Sequence, residues 1–310
     1  MKNIWLSKAE IAQLPTSGTA WNEVVKAASQ ANGSANLVDQ NSGLNVNCLA
    51  AALVAARTGD STALDRAKKS IKAIADFDVA KLDRALALGR ELCAYVVAAD
   101  IIDLPAIDST LNAAFSDKIR ALLTAKTTGG PSNLIQCQLQ RPNNWGMHAT
   151  AGLAAVYAYL GDDVGLKSVA NVFKGWLGDR TAYSAFKYTA PMDWHADATK
   201  PVGINPKGAT KNGHSIDGVL PDDMRRGGGI STTWPPDKAK MKDSYQYEWE
   251  ALQGATVAAQ LLTRAGYPAW EWCDKALLRA VQWLYSIDWV ATGDDGWQPW
   301  LINYAYGSSF

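Results

Sequence analysis

An all-α fold built from repeated helical hairpins is what this 310-residue sequence predicts. Three observations carry the expectation. Ala-rich runs with helical periodicity recur along the chain. Each run stops at a short turn holding Gly or Pro and starts again at once. One long stretch, 178–244, breaks the rhythm and is rich in Gly, Pro, Asn and Asp.

The hairpins follow in chain order. Leu49 to Arg57 reads as a helix, stops at Thr58-Gly59-Asp60 and restarts from Ser61 to Ile74. Val79 to Ile102 and Ile107 to Ala125 form a second pair, divided by Asp103-Leu104-Pro105. Trp145 to Leu160, the turn Gly161-Asp162, and Asp163 to Trp176 make the third. Glu248 to Ala265, the turn Gly266-Tyr267-Pro268, and Ala269 to Ser286 make the fourth. Gly just past a helix and Asp or Ser before the next are stop and start signals with a backbone cause. Stacked helical hairpins give a solenoid, or a ring if the curvature closes. No linker separates two domains, so 1–310 reads as one domain. Stretch 178–244 reads as a functional loop segment, since long irregular segments in compact domains usually are.

Composition narrows the function. Hydrophobic residues make up 48% of the chain, enough for a large core. Lys plus Arg and Asp plus Glu are 30 each, so the basic excess of a nucleic-acid binder is missing. No apolar stretch is long and clean enough to span a membrane. The first residues, Met1 to Lys8, do not read as a signal peptide, which implies a removed signal, a cytoplasmic protein or release by lysis. Cys48, Cys93, Cys137 and Cys273 are scattered without metal-type spacing, and no metal or cofactor is expected. Thirteen Trp exceed what a core alone asks for and include candidates for stacking on sugar rings. Between His195 and Lys242 positive charges exceed negative ones by three, a bias that would attract a polyanion.

Two clusters carry candidate chemistry. The first is Arg141-Pro142-Asn143-Asn144-Trp145-Gly146-Met147-His148. Asn144 is placed to cap the following helix, and a helix start also favours an anion, so both roles hold together. The second is Asp217-Gly218-Val219-Leu220-Pro221-Asp222-Asp223-Met224-Arg225-Arg226-Gly227, followed by Tyr245-Gln246-Tyr247. Arg226 would clamp a carboxylate in bidentate geometry, with Arg225 beside it. The plainer role for either is an ion pair with Asp222 or Asp223. Tyr247 is the phenol candidate, with Tyr245 second. His148 sits one turn into an apolar helix, and His214 precedes the Arg cluster; either is a candidate, and a core hydrogen bond is the alternative for His148. His195 would line a subsite with Trp194. Amide, imidazole, guanidinium and phenol together suit removal of a proton beside a carboxylate and expulsion of the neighbouring oxygen.

The Asn pair opening a helix that ends in Leu-Gly-Asp, with Asp217, Gly218, Leu220, Pro221, Asp223, Arg226, Gly227, Tyr247, Ala251 and Leu252, resembles the alginate lyase superfamily of α/α-toroid polysaccharide lyases. The likeness spans about Asn47 to Trp283, and only the two clusters are specific. Two departures stand out. Trp145 follows the Asn pair where mannuronate lyases have His, and Gly228 to Ser244 lengthen the interval between Arg and Tyr. The resemblance implies an incomplete α/α toroid with 178–244 over its cleft. It also implies β-elimination on polymannuronate or β-1,4-glucuronan, leaving 4,5-unsaturated ends. Asn144, Arg226 and His148 or His214 would neutralise the C6 carboxylate, and Tyr247 would be base and then acid. Asn143, Trp145, Trp194 and His195 are expected to contact substrate, as are Arg225, Trp234 and Tyr245. The expected partner is an acidic polysaccharide and the expected state a monomer.

Two other readings fit the sequence. A toroidal glycoside hydrolase would use two carboxyls among Asp193, Asp223, Glu248 and Glu250. A non-catalytic glycan-binding solenoid would use Trp194, Trp234, Trp270, Trp297 and Trp300.

Overall fold

The computed structural model describes residues 1–225 and 247–310, the side chain of Arg225 excepted. Its described residues are mostly helical. Their one sheet is a two-stranded hairpin, Thr210–Lys211 antiparallel to His214–Ser215. The all-α class therefore holds. Among the described residues no helix is long and apolar enough to cross a membrane. The chain divides into two compact units, residues 1–136 with 152–166 and residues 137–151 with 167–310.

In the first unit, helix Leu44–Thr58 packs against Thr19–Gln30, Ser61–Ala75 and Ala85–Ile101. Buried Ala50, Ala51, Ala52 and Ala55 keep it slim enough for three neighbours. Its hairpin to Ser61–Ala75 is set by local chemistry. Gly59 takes the left-handed conformation at φ 76°, which costs a residue without Cβ little. Asp60 then caps the next helix, accepting from the N–H groups of Thr62 at 2.8 Å and Ala63 at 3.0 Å. Ser109–Leu122 packs on Ser61–Ala75, and Asp108 caps it by accepting from Leu111 N–H at 3.0 Å.

Several boundaries differ from the expectation. Val79 to Lys81 is a 3-10 turn capped by Asp78, and the long helix begins only at Ala85 because Arg84 is extended. Pro105 stands in the short helix Leu104–Ile107 rather than in a bare turn. Helices Lys8–Gln13, Thr19–Gln30, Leu134–Gln140 and Gln298–Tyr306 lie outside the four hairpins read from the sequence.

The second unit holds the site. Its core is aromatic: Trp176, Phe173, Trp194 and Trp249 are buried. The stretch from 178 to 220 is irregular apart from the 3-10 turn Met192–Trp194 and the hairpin of Thr210–Lys211 with His214–Ser215, then turns into the short helix Pro221–Arg225; residues 226–244 lie outside the described residues. Helix Tyr247–Arg264 crosses the start of helix Asn144–Leu160 at Gly254. A Cβ there would stand 2.5 Å from Met147 C and His148 N, so only glycine admits this approach.

The expected fourth restart, Ala269 to Ser286, contains a turn no pattern announces. Cys273, Asp274 and Lys275 are left-handed at φ 52–56°. Such a run costs about 1–2 kcal/mol per residue. Arg279 offsets it: its Nε donates to Asp274 O at 3.0 Å and its Nη2 to Cys273 O at 3.0 Å. The same guanidinium donates to Asn205 O at 2.9 Å and pairs with Asp217, tying the irregular stretch to the helix behind it.

Candidate functional site

Helix Asn144–Leu160 begins where Pro142 ends an approach fixed by its neighbour, since Trp176 Nε1 donates to Pro142 O at 2.8 Å. The cap is Asn143, one position ahead of the expected Asn144. Met147 N–H donates to Asn143 O at 3.0 Å, the first helical bond, and Trp145 N–H reaches Asn143 Oδ1 at 3.2 Å. With its oxygen turned to the helix, the Asn143 amide has its nitrogen facing away. That nitrogen donates to Asp222 Oδ2 at 2.8 Å. The next carboxylate does the same for the backbone: Asp223 Oδ1 accepts from Asn144 N–H at 3.1 Å. Asn143 and Asn144 are 2% exposed, Asp222 and Asp223 1%. Each aspartate is 79 residues from its partner, so Asp222 and Asp223 of the second sequence cluster join the Asn pair of the first. Negative charge at a helix start is favourable, and burial strengthens it.

Glu250, on helix Tyr247–Arg264, adds a carboxylate. Its Oε2 lies 3.8 Å from Nε2 of buried His148. The crossing at Gly254 fixes this approach, because Glu250 is one helical turn before Gly254 on the same face. Tyr247 is three residues before Glu250 and shares that face, half-buried at the first position of the helix. Thus Asn143, Asn144 and His148 come from expected positions and lie at the start of one helix, while Tyr247 begins the helix that crosses it. Asp222, Asp223 and Glu250 complete the group.

Glu248 stands beside Tyr247 and is fully buried. Neither carboxyl oxygen has a hydrogen-bond partner among the described residues. Burial pushes its carboxyl up to about 8. A helix start favours a carboxylate by about 0.3–1 kcal/mol, too little to reverse the loss of solvent here.

Other expected residues lie elsewhere or outside the description. Trp145 is half-buried with the Arg141 guanidinium 5.3 Å from its ring centroid. Trp194 is buried edge-on to Trp283 at 5.9 Å, so its faces belong to the core. His195 is buried against Tyr188, ring centroids 5.1 Å apart. Burial, aided by the charge of Lys211, lowers the His195 imidazole to about 4 and keeps it neutral. Tyr188 is held above the usual phenol range by burial and then by the charge of Asp222, which marks it as a neighbour of the cluster. His214 is half-buried on the hairpin, paired with Lys211. Lys211 ties that hairpin down by donating to the carbonyls of Asp193 and His195. Arg225 ends helix Pro221–Arg225, two residues past Asp223. Arg226, Trp234 and Tyr245 lie outside the described residues.

Sequence reasoning passed over Tyr188 and gave Asp222 only a surface role. Tyr188 carried no signal, standing alone in irregular chain. Asp222 and Asp223 did carry one, since two carboxylates beside two arginines need not all pair with each other.

A scan against models of known protein families finds no match for this chain, and a search of curated proteins finds none either.

Proposed function

We propose that this chain is a polysaccharide lyase that cleaves a polyuronate, polymannuronate or β-1,4-glucuronan, by β-elimination. In this reading 1–310 is a single catalytic domain, an incomplete α/α toroid with stretch 178–244 over the cleft. One observation carries it. The Asn143-Asn144 pair is hydrogen-bonded to Asp222 and Asp223, so the amide cluster and the run leading into Arg225-Arg226 share one place. Glu250, on the helix that begins with Tyr247, lies 3.8 Å from His148 where Gly254 lets the two helices cross, which supports the same reading.

The roles follow from what the reaction needs. The C5 proton of a uronate is a poor acid, and its removal requires neutralising the C6 carboxylate where charge develops. Arg226 takes that carboxylate, with Arg225 beside it. Asn144 contributes its amide donors, its own oxygen being turned to Trp145 N–H at 2.8 Å. His148, steadied by Glu250, supplies a further donor. Tyr247 as phenolate accepts the C5 proton. The released electron pair forms the C4–C5 double bond as the C4–O4 bond breaks. O4 leaves with the proton that Tyr247 returns. In mannuronate and glucuronate the C5 proton and O4 lie on one side of the ring, so one residue serves both steps.

The test is incubation with a panel of uronic acid polymers, following ultraviolet absorbance and reducing ends together. The reading expects both to rise in step on a same-side polymer. New reducing ends without absorbance would replace it with hydrolysis, using carboxylates such as Glu250 and Asp223. Binding with neither signal would leave a glycan-binding protein.

A further inference from the structure

Helix Gln298–Tyr306 is amphipathic in an unusual sense. Its buried face is made by Gln298, Pro299 and Ile302. Gln298 Nε2 donates to Trp249 O at 3.1 Å, and Tyr306 Oη donates to Trp270 O at 2.6 Å, so the helix is pinned at both ends. The opposite face carries aromatic rings rather than charges. Trp300 and Tyr304 are each 77% exposed and Trp297 is 39% exposed. At 3.6 residues per turn these three fall within about 60° of arc and span about 10 Å along the helix. Exposed apolar patches of this kind mark interaction sites, because leaving them in water is unfavourable.

The size and shape of the stripe decide what covers it. With about 150–250 Å² per ring, the exposed part amounts to roughly 300–500 Å². A stable interface between two protein copies needs about 800 Å² from each partner. The stripe falls short of that, and it is a line rather than a disc. Its rings are flat with polar edges, and the three positions hold no aliphatic side chain. A flat ring with a polar edge packs against the C–H face of a sugar while its edge stays hydrated. A row of such rings on a rigid helix matches an extended polymer.

We propose that Trp297, Trp300 and Tyr304 form a surface site on which a linear pyranose chain stacks, holding polymer against the protein outside the Asn143–Asp222 cluster. The inference rests on the reading of this chain as a polysaccharide-active protein, but not on the elimination chemistry. On that reading the chain held is the uronate polymer itself, stacked by its C–H faces.

Native electrophoresis through gels containing polymannuronate, glucuronan or a neutral β-1,4-glucan tests this, with the intact chain and the Trp300→Ala/Tyr304→Ala variant. The intact chain should be retarded, and the polymer concentration giving half-retardation should rise on the order of tenfold in the variant. Trp300→Phe keeps a ring and should stay close to the intact chain. Retardation by the uronate polymers that the double variant loses supports the site, and retardation by the glucan alone overturns the uronate polymer as its occupant. Equal retardation of intact chain and double variant, or none with any polymer, overturns the site. A dimer of the intact chain that the variant dissolves, seen by sedimentation, overturns it in favour of a copy interface. Ultraviolet absorbance of the same mixtures separates the two claims. A tenfold shift without unsaturated product removes the lyase reading and leaves the stripe, and product without a shift does the reverse.

Discussion

Asp223 accepts the backbone N–H of Asn144 at 3.1 Å, across 79 residues of chain, and both are buried. A first-turn N–H has no partner within its own helix, so this carboxylate supplies one from outside. Asp223→Ala strands that N–H in the interior at a cost of about 1–3 kcal/mol. Asp223→Asn keeps an acceptor and loses the charge that complements the helix dipole, about 0.3–1 kcal/mol. Urea unfolding should rank the parent as most stable, Asp223→Asn next and Asp223→Ala last. Equal stability of the Ala variant would mean the contact holds nothing in place.

Gly254 sets the distance between two backbones. A methyl group there would meet Met147 C and His148 N at 2.5 Å, and neither is the end of a flexible side chain. Gly254→Ala must part the helices, at about 1–3 kcal/mol. Because Glu250 and Tyr247 ride on the displaced helix, turnover should fall by more than the loss of folded protein explains. Activity per folded molecule, with the folded fraction from circular dichroism, measures this. Parental activity per folded molecule would separate the crossing from the chemistry.

Arg279 serves four acceptors: Asn205 O, Asp217, Cys273 O and Asp274 O. A lysine has one nitrogen and cannot span them. Arg279→Lys should lower stability on the order of 3 kcal/mol, since it leaves buried acceptors and a partly buried carboxylate unserved. A midpoint within error of the parent would show that the left-handed turn at 273–275 stands without it.

The parts legible in the sequence are those decided by neighbours in the chain. Gly59 and Asp60 announced one hairpin, and Gly161 with Asp162 another, because caps act over three or four residues. The left-handed turn at Cys273 was hidden, since no glycine marks it and its support comes from Arg279 and not from its own residues. The candidate site divides the same way. The pairing of the Asn run with Asp222 and Asp223 is written in no local pattern. Trp194 looked like a stacking platform by composition, but a Trp count does not say which rings are covered, and Trp194 is core.

Glu248 ties stability to pH. Its carboxyl is raised from 4.5 to about 8 by burial. A raised carboxyl favours folding below its unfolded value, and that contribution is lost as pH rises from about 4.5 through about 8. Glu248→Gln removes the proton equilibrium and keeps the shape. The melting temperature of the parent should therefore fall from pH 5 to pH 9 by roughly 5 °C more than that of the variant. Parallel pH curves for the two would show that the Glu248 carboxyl titrates as an ordinary one.

Tyr247 carries the sharpest chemical prediction. It is half-buried at the first position of its helix, so losing one hydroxyl should leave the fold intact. If Tyr247 moves the C5 proton, Tyr247→Phe removes both base and acid, and elimination should drop by a factor of 100 or more, on the order expected for a proton-transfer group. Polymer binding should persist, since the Arg226 clamp remains. Arg226→Ala should act differently, raising KM and lowering kcat together, because the carboxylate is held in the ground state and stabilised further in the transition state. Should Tyr247→Phe eliminate at the parental rate while Arg226→Ala fails, the proton would pass through His148 or another group. The helix face shared by Tyr247 and Glu250 would then serve to orient the imidazole and not to perform the transfer.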